Sequence, residues 1–410
     1  MTIPDVAIVG AGPAGLTLAA TLAARGVQVL LLDRDTEPGG VPRHSDHPGY
    51  GIRDLHRFLR GPAYASALTA RARGAGAVIQ TEATVTGVLD TGPAGSTLQV
   101  TSPQGRQAIT AHTVVLATGC REAPRSARLI PGGRPAGIFT TGWLQRAVHL
   151  EHQAIGTRAV IIGAEHVSYS AAVTLAEVGC RTAAMVTARK RVDTYRAFQI
   201  TAAMRYRFPV LTRSQVVDVV GRTSLEAVQV RRANGDLQTI PCDTLICTGD
   251  WRAENTLSAG LPRGSSGGPA IDTQFRTAQP GVFAVGNLLH PGATADRCVQ
   301  DARAADAAII DWLNTGEWPR PVQRLNLGDG LAWCSVNNLS TSGSTAQTPL
   351  LVEVNERLRR PTFQVTQGAH RVGHVHRPWA IPTRPVLLPP NLLRNIDPHG
   401  PDPVLAVRDA

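Results

Sequence analysis

Apolar positions in the first forty residues fall into two short runs with a helical stretch between them. Asp5-Val-Ala-Ile-Val9 ends a run of strand length, Leu16 to Arg25 reads as helix, and Val27 to Leu32 reads as a second strand. The order returns further along the chain. Ala159-Val-Ile-Ile162 predicts a strand, a helix runs from there to about Val178, and Thr182 to Val186 predicts another strand. Two more buried strands, Val114-Val-Leu-Ala-Thr-Gly119 and Thr244-Leu-Ile-Cys-Thr-Gly249, end alike, which points to internal duplication of one unit. Residues 77–121 are β-rich, and a helix is expected from about Ala293 to Leu313. Beyond residue 326 the character changes. Leu350-Leu-Val-Glu-Val354 and Thr362-Phe-Gln-Val365 alternate as half-buried strands do, and Pro378, Pro382, Pro385, Pro389 and Pro390 break up the stretch after them.

The predicted fold class is therefore α/β, with two Rossmann-like three-layer dinucleotide-binding domains, the second inserted in the first. Residues 1–121 and 251–325 would form the first, 122–250 the second, and 326–410 a small β-rich C-terminal extension.

The turns between these elements carry the chemistry. Gly10-Ala-Gly12-Pro13-Ala14-Gly15 joins the first strand to the first helix, and Asp33 ends the next strand. Gly10 makes the tight turn, Gly12 lets the backbone approach a diphosphate, and Gly15 lets helix and strand pack closely. The helix N-terminus offers free N–H groups and roughly half a positive charge. Asp33 is placed to accept hydrogen bonds from a ribose diol.

Composition removes several alternatives. The net charge of +10 rests on arginine, with Lys190 the single lysine; a codon bias toward arginine accounts for it, with attraction of anionic cofactors or substrates as the functional alternative. No basic run is interleaved with aromatics, so nucleic-acid binding is not expected. There is no apolar run of membrane-spanning length. The opening Met1-Thr2-Ile3-Pro4-Asp5 lacks a basic leader, and a cytoplasmic chain is expected. Of the six cysteines, Cys242 and Cys247 have a spacing that suits a redox pair. They frame a strand, however, which would hold them about 16 Å apart, beyond the roughly 7 Å that a disulfide tolerates between Cα atoms.

The order of fingerprints resembles the two-dinucleotide-binding-domain FAD flavoproteins, the thioredoxin reductase-like superfamily, over about residues 1–320. It rests on Gly10, Gly12, Gly15, Asp33, Gly39-Gly40, Ala117-Thr118-Gly119, Thr248-Gly249 and Val282-Phe-Ala-Val-Gly286-Asn287. In the stretch Gly119-Cys-Arg-Glu-Ala-Pro-Arg through Gly137-Ile138 it is similar to flavoprotein subunits of the hydrogen cyanide synthase, opine oxidase and sarcosine oxidase kind. The resemblance implies that Gly10, Gly12, Pro13, Ala14 and Gly15 hold the FAD diphosphate, with Asp33, Arg34 and Gly40 beside the adenosine end. Val85 would meet the adenine through its main chain, and Ala117, Thr118 and Gly119 would line the same cleft. Gly286 and Asn287 would contact the ribityl chain, and the helix beginning near Thr294-Ala295 would aim its positive end at the flavin pyrimidine ring. Asn287 departs from the usual Asp, although an amide still offers a donor and an acceptor. The chain also departs from the pattern in lacking C-x-x-C, which excludes thioredoxin reductase chemistry, and in lacking a cysteine cluster after residue 330 for an iron–sulfur module.

The second fingerprint, Gly163-Ala-Glu165-His-Val-Ser168, keeps one glycine of three. Ser168 is small enough for helix packing, but a carboxylate at residue 165 would face a bound diphosphate. Two like charges about 4 Å apart repel by about 4 kcal/mol at an effective dielectric of about 20, so NAD(P)H should bind poorly unless Glu165 turns away or is protonated. Against that, Arg189, Lys190 and Arg191 follow the second strand, where a 2′-phosphate would lie. Gly163, Ser168, Arg189 and Arg191 are the candidate nicotinamide residues; a scaffold domain with a solvated basic loop is the alternative.

His44, in the loop Gly39 to Tyr50, and His290, just after Asn287, are candidate proton donors or acceptors near the flavin. Surface or structural roles account for them equally. His374 and His376 would share a strand face, but no third metal ligand accompanies them. The chain is thus expected to be an FAD-dependent oxidoreductase moving hydride between a small polar substrate and flavin, with a partner subunit or another acceptor taking the electrons. NAD(P)H-driven reduction and a non-catalytic flavin-binding subunit are the alternatives.

Overall fold

The computed structural model of the chain describes residues 3–90, 95–194, 207–340 and 348–408. Two compact units emerge, one of Met1–Arg43, Pro48–Cys120 and Ala253–Ala410, the other of His44–His47 and Arg121–Arg252.

The first unit is built on five parallel strands in the order Val282–Ala284, Thr113–Leu116, Val6–Val9, Val29–Leu32, Val78–Gln80. Val6, Ala7, Ile8, Val114, Val115 and Phe283 are all fully buried, as in a sheet covered on both faces. Helix α1 (Pro13–Ala23), α2 (Gly61–Gly74) and the long helix α5 (Ala295–Thr315) belong to this unit, and α1 packs on both others. Leu16, Leu18 and Leu22 bury the apolar face of α1. An antiparallel meander, Thr84–Asp90, Ser96–Ser102 and Gly105–Ala111, leads back to the sheet.

Two boundaries differ from the sequence pattern. Helix α1 begins at Pro13, before its apolar stripe, because a proline ring is pre-set for the first helical turn. Helix α5 begins at Ala295, later than Ala293, because Thr294 takes an extended backbone conformation as its N-cap.

The second unit repeats the plan. Its parallel strands run in the order Ile138–Thr140, Thr244–Cys247, Arg158–Ile162, Arg181–Val186, Val210–Leu211, with α3 (Thr141–His149) and α4 (His166–Glu177). A three-stranded meander, Gln215–Val220, Ala227–Arg231 and Leu237–Pro241, accompanies that sheet.

The strands after residue 320 have an apolar core of their own, with Val352, Phe363, Val365, Leu388 and Leu405 fully buried. Thr362–Gln367 alternates between buried and half-buried positions as its sequence predicts. Leu350–Val354 does not alternate and is buried at every position but Glu353. Val404–Arg408 lies between Asn326–Leu327 and Thr362–Gln367 in one sheet. Hydrogen bonds tie this region to the loop ahead of Val282: Cys334 N–H donates to Ser265 Oγ at 2.9 Å, and Ser340 Oγ donates to Asp272 Oδ2 at 2.8 Å.

Candidate functional site

The first glycine turn leaves the carboxyl end of Val6–Val9. Gly10 sits at φ +106°, and a Cβ there would lie 2.5 Å from the Ala117 carbonyl oxygen, so both its conformation and its space demand glycine. A Cβ on Gly15 would lie 1.9 Å from the Gly10 carbonyl oxygen, which is the close helix–strand approach the motif requires. Gly12 differs: a Cβ there would meet nothing within 4 Å. Gly12 is the N-cap of α1, Pro13 opens the helix, and among the described residues no side chain caps it. The first turn of α1 is thus left without a side-chain cap among the described residues, the arrangement that receives a diphosphate.

Asp33 closes the adjoining strand. Its Oδ2 accepts from Ala11 N–H at 2.6 Å and its Oδ1 from Asp35 N–H at 2.8 Å. Burial pushes its carboxyl up, and these two amide bonds oppose the shift. Arg34 beside it is exposed. Gly39 N–H donates to the Ala11 carbonyl at 2.8 Å, which brings Gly40 against Gly12. Val85 is half-buried in the meander and pairs with Val100 at a bulge. Ala117 N–H bonds the Val9 carbonyl, and Thr118 Oγ1 donates to the Glu254 carbonyl at 2.7 Å, which fixes the turn through Gly119.

On the next strand over, Gly286 takes φ +72°, and a Cβ there would lie 2.8 Å from the Ala14 methyl, so this turn rests directly on α1. The Asn287 amide donates to the Ala293 carbonyl at 3.1 Å while its oxygen meets His290 Nδ1 at 3.3 Å. A carboxylate could not make the first of these bonds, which explains the amide in place of the usual acid. Thr294 is the exposed N-cap of α5, again without a side-chain cap among the described residues, and Ala295 is the first helical residue. The structure thus gathers Gly10 to Gly15, Asp33, Gly40, Ala117 to Gly119, Gly286, Asn287, Thr294 and Ala295 along the carboxyl edge of one sheet. Two uncapped helix N-termini share that edge. These residues fit FAD: an open turn for the diphosphate, a carboxylate by the ribose position, and a second helix end for the flavin ring.

The two candidate histidines fall in different units. His44 belongs to the second, where its carbonyl accepts from His149 Nδ1 while His149 Nε2 meets Glu177 at 3.0 Å. His290 belongs to the first and is 1% exposed. Its Nε2 is bonded to Asp301, which Arg297 also reaches at 2.7 Å. Burial would raise the Asp301 carboxyl, yet His290 and Arg297 hold it below the usual range. With both ring nitrogens engaged, His290 fastens the Gly286 turn to α5.

The second fingerprint folds into the same turn with a different content. Gly163 takes φ +123°, where a Cβ would strike Thr248 Oγ1. Glu165 is the N-cap of α4: its carboxylate accepts from Ser168 N–H, and Ser168 Oγ accepts from Glu165 N–H at 3.1 Å. Ser168 Oγ also meets Thr248 Oγ1 at 2.5 Å. The same carboxylate covers Gly249, where a Cβ would lie 2.2 Å from Glu165 Oε2. Burial pushes the Glu165 carboxyl up to about 7, with Arg189 and Arg128 opposing and Asp250 and Asp193 adding to the rise. Arg189 pairs with Asp193 at 3.0 Å, while Lys190 and Arg191 are exposed. The helix end that would hold a nicotinamide diphosphate is filled by the chain's own carboxylate.

Sequence reasoning assigns no role to Glu122 and Arg128, although both lie in the stretch that carries the family resemblance. Glu122, 6% exposed, accepts from Gly142 N–H at 2.9 Å and Gly249 N–H at 3.1 Å, and burial raises its carboxyl. Arg128 donates to the Thr248 and Gly249 carbonyls at 2.9 and 2.8 Å and pairs with Asp250. The two side chains fix the strand end beneath Glu165.

Cys242 and Cys247 are buried free thiols, and burial pushes them up to about 12 and about 11. His374 and His376 are exposed, their rings 5.6 Å apart, and among the described residues no three metal-ligating side chains cluster. A cavity of about 930 Å³ lined by Asp5, Arg25, His112 and Trp312 opens at the amino edge of the first sheet, opposite the edge that carries the Gly10 turn. Among the described residues no helix is long and apolar enough to cross a membrane.

Comparison with known proteins places this geometry. The family model described as pyridine nucleotide-disulphide oxidoreductase matches residues 4–306. The NAD-dependent dihydropyrimidine dehydrogenase subunit PreT of Escherichia coli (strain K12) is 27% identical over 319 residues, which cover 76% of this chain and 69% of that protein. An opine oxidase subunit of Agrobacterium tumefaciens (strain Ach5) is 29% identical over 43% of this chain and 35% of its own length. The alpha subunit of the sarcosine oxidase of Corynebacterium sp. (strain P-1) is 29% identical over 60% of this chain and 26% of its own length. Among solved structures, thioredoxin reductase of T. acidophilum superposes with a TM-score of 0.64 at 20% identity, covering 76% of this chain and 99% of that one. The fold is that of the thioredoxin reductase-like flavoproteins, with a strand-rich region added at the C-terminal side. FAD is the cofactor of the matched family, and NAD(P)H its partner substrate.

Proposed function

This chain belongs to the pyridine nucleotide-disulphide oxidoreductase family, and on that premise we propose that it is an FAD-dependent oxidoreductase that oxidises a small polar metabolite at a C–N or C–O bond. FAD, when bound, accepts a hydride from the substrate carbon while the substrate's N–H or O–H proton goes to a base. The chain's own residues hold the diphosphate at α1, the ribose at Asp33 and the flavin ring before α5. Electrons then leave through a partner subunit or another acceptor. The names of the opine oxidase and sarcosine oxidase relatives support a C–N bond and a place in a larger assembly.

The observation that carries this reading is Glu165. A dehydrogenase fed by substrate has no need of a nicotinamide site, and the site's helix end is closed by a carboxylate. Anaerobic stopped-flow reduction tests it. Amino acids, opines or glycerol phosphate should bleach the flavin, and NADH or NADPH should not.

A second reading, NAD(P)H reducing the flavin, draws on Arg189, Lys190 and Arg191 beside the second fingerprint and on the name of the PreT relative. Fast bleaching by NADPH would establish it in place of the first. A chain that holds FAD yet turns over no substrate with an artificial acceptor would be the flavin-binding subunit of a complex.

A further inference from the structure

Residues 48–60 form a hairpin that packs on α2. Pro48–Tyr50 and Leu59–Arg60 pair antiparallel, with Tyr50 opposite Leu59, and residues 51–58 make the tip. The tip is closed on itself, since the Leu55 and Arg57 amides both donate to the Gly51 carbonyl, at 3.1 and 3.0 Å. Further bonds fix it in place. Asp54 Oδ2 accepts from the buried Tyr64 hydroxyl of α2 at 2.6 Å, and Arg303 of α5 donates to the Asp54 carbonyl at 3.3 Å. Leu55 and Leu59 turn inward onto the core and supply the packing the hairpin needs. Ile52 and Phe58 do not: they are 50% and 72% exposed. Because Gly51 is bonded to Arg57, these two apolar side chains stand on either side of one pinch in the chain. Arg53, His56 and Arg57 between them are exposed as well. The single acid of the tip, Asp54, is 8% exposed and turned inward onto Tyr64.

We propose that the tip at residues 51–58 docks on an anionic lipid surface, with Phe58 and Ile52 entering the headgroup boundary and Arg57 and Arg53 among the phosphates. The two kinds of side chain act together. Apolar groups gain by leaving water, and guanidinium pairs with a phosphate through two parallel hydrogen bonds. Interfacial binding grows with buried apolar area and with attraction to anionic headgroups, and this tip offers both. A protein partner would have to bring a pocket shaped for Phe58, whereas a bilayer takes in such a tip without one. The net charge of +10 adds attraction over a longer range toward the same surface. Among the described residues no helix is long and apolar enough to span a bilayer, so the contact is peripheral and reversible. Arg53 also lies within electrostatic reach of Asp296 of α5, which makes Arg57 the cation to alter. Neither half of the contact needs a bound cofactor.

Vesicle co-sedimentation of the full chain at low salt tests the contact. Wild type should pellet with vesicles of phosphatidylglycerol and phosphatidylcholine in equal parts, and stay in solution with phosphatidylcholine alone. Phe58→Ser should weaken binding to the anionic vesicles about tenfold through lost apolar burial, and Arg57→Glu about tenfold through reversed charge. Both positions are exposed, so both variants should melt where wild type does. Arg106→Glu, an exposed site on the antiparallel meander of the same unit, should bind as wild type does. Failure to bind anionic vesicles, equal binding to neutral ones, or binding that neither tip substitution weakens would overturn the proposal. An equal loss in Arg106→Glu would overturn it too, because bulk charge alone would then hold the chain. A wild-type chain that ignores vesicles but captures a protein that Phe58→Ser does not would assign the tip to a protein instead.

Discussion

The N-termini of α1 and α4 stand at the carboxyl edges of two parallel sheets of the same build. Over α1, Gly12 leaves a space in which even a Cβ would touch nothing. Over α4, Glu165 bonds the Ser168 amide and lies across Gly249. The chain's own carboxyl occupies the second helix end, whereas no side chain caps the first among the described residues. The difference teaches that such a helix end can be filled from within the chain, because a capping side-chain oxygen accepts from its free amides.

The comparison breaks most severely at Gly15. A valine there would drive its Cβ into the Gly10 carbonyl, and the loss should exceed about 4 kcal/mol, near the limit of single substitutions. Chemical denaturation should find little folded protein; a cooperative transition near that of wild type would refute the packing role. Next, Gly12→Glu gives the first turn the content of the second. It should weaken FAD binding about a thousandfold, by roughly 4 kcal/mol of like-charge repulsion, while the melting temperature of the apoprotein changes little.

A smaller effect concerns pH. The Glu165 carboxyl is raised from 4.5 to about 7, so between those values the folded chain binds a proton that the unfolded chain has released. The stability Glu165 contributes is therefore greatest below pH 4.5 and is lost as pH rises through 7, by about 1–3 kcal/mol. Glu165→Gln should remove that slope, which paired denaturation curves at pH 5 and 8 would reveal. Smallest is the reverse exchange. Glu165→Gly should strengthen NADPH binding at least tenfold, or about 1.4 kcal/mol, in calorimetry. No gain would mean that something other than the carboxylate closes the second site.

Much of this is legible in the sequence where the cause is local. The strand runs, the glycines at 10, 12 and 15 and the acid at 33 follow from rules that span a few residues. Hydrophobic patterning misplaces the start of α5 because Thr294 takes an extended N-cap conformation, which the pattern does not register. The direction of Glu165 depends on Ser168 and on Gly249, the latter in the turn after a strand distant in sequence, so charge alone indicates conflict with a phosphate but not its resolution. Asn287 reads as a weakened acid until the Ala293 carbonyl comes beside it. Tyr64 and Asp54 carry no motif; only the fold brings the Tyr64 hydroxyl, on α2, to the Asp54 carboxyl in the loop before it.

The last sheet of the chain has a consequence for how the protein is handled and how it arose. Its opening strand, Asn326–Leu327, lies beside its closing one, Val404–Arg408, so the chain enters and leaves that region at neighbouring points. A segment hemmed in this way can be spliced into a gene or lost from it at a single seam. The closing strand is also an interior one, flanked on both sides. Trimming a handful of residues from the tail would therefore unpick the middle of a sheet, whereas removing the whole segment at its seam would leave the glycine turns intact.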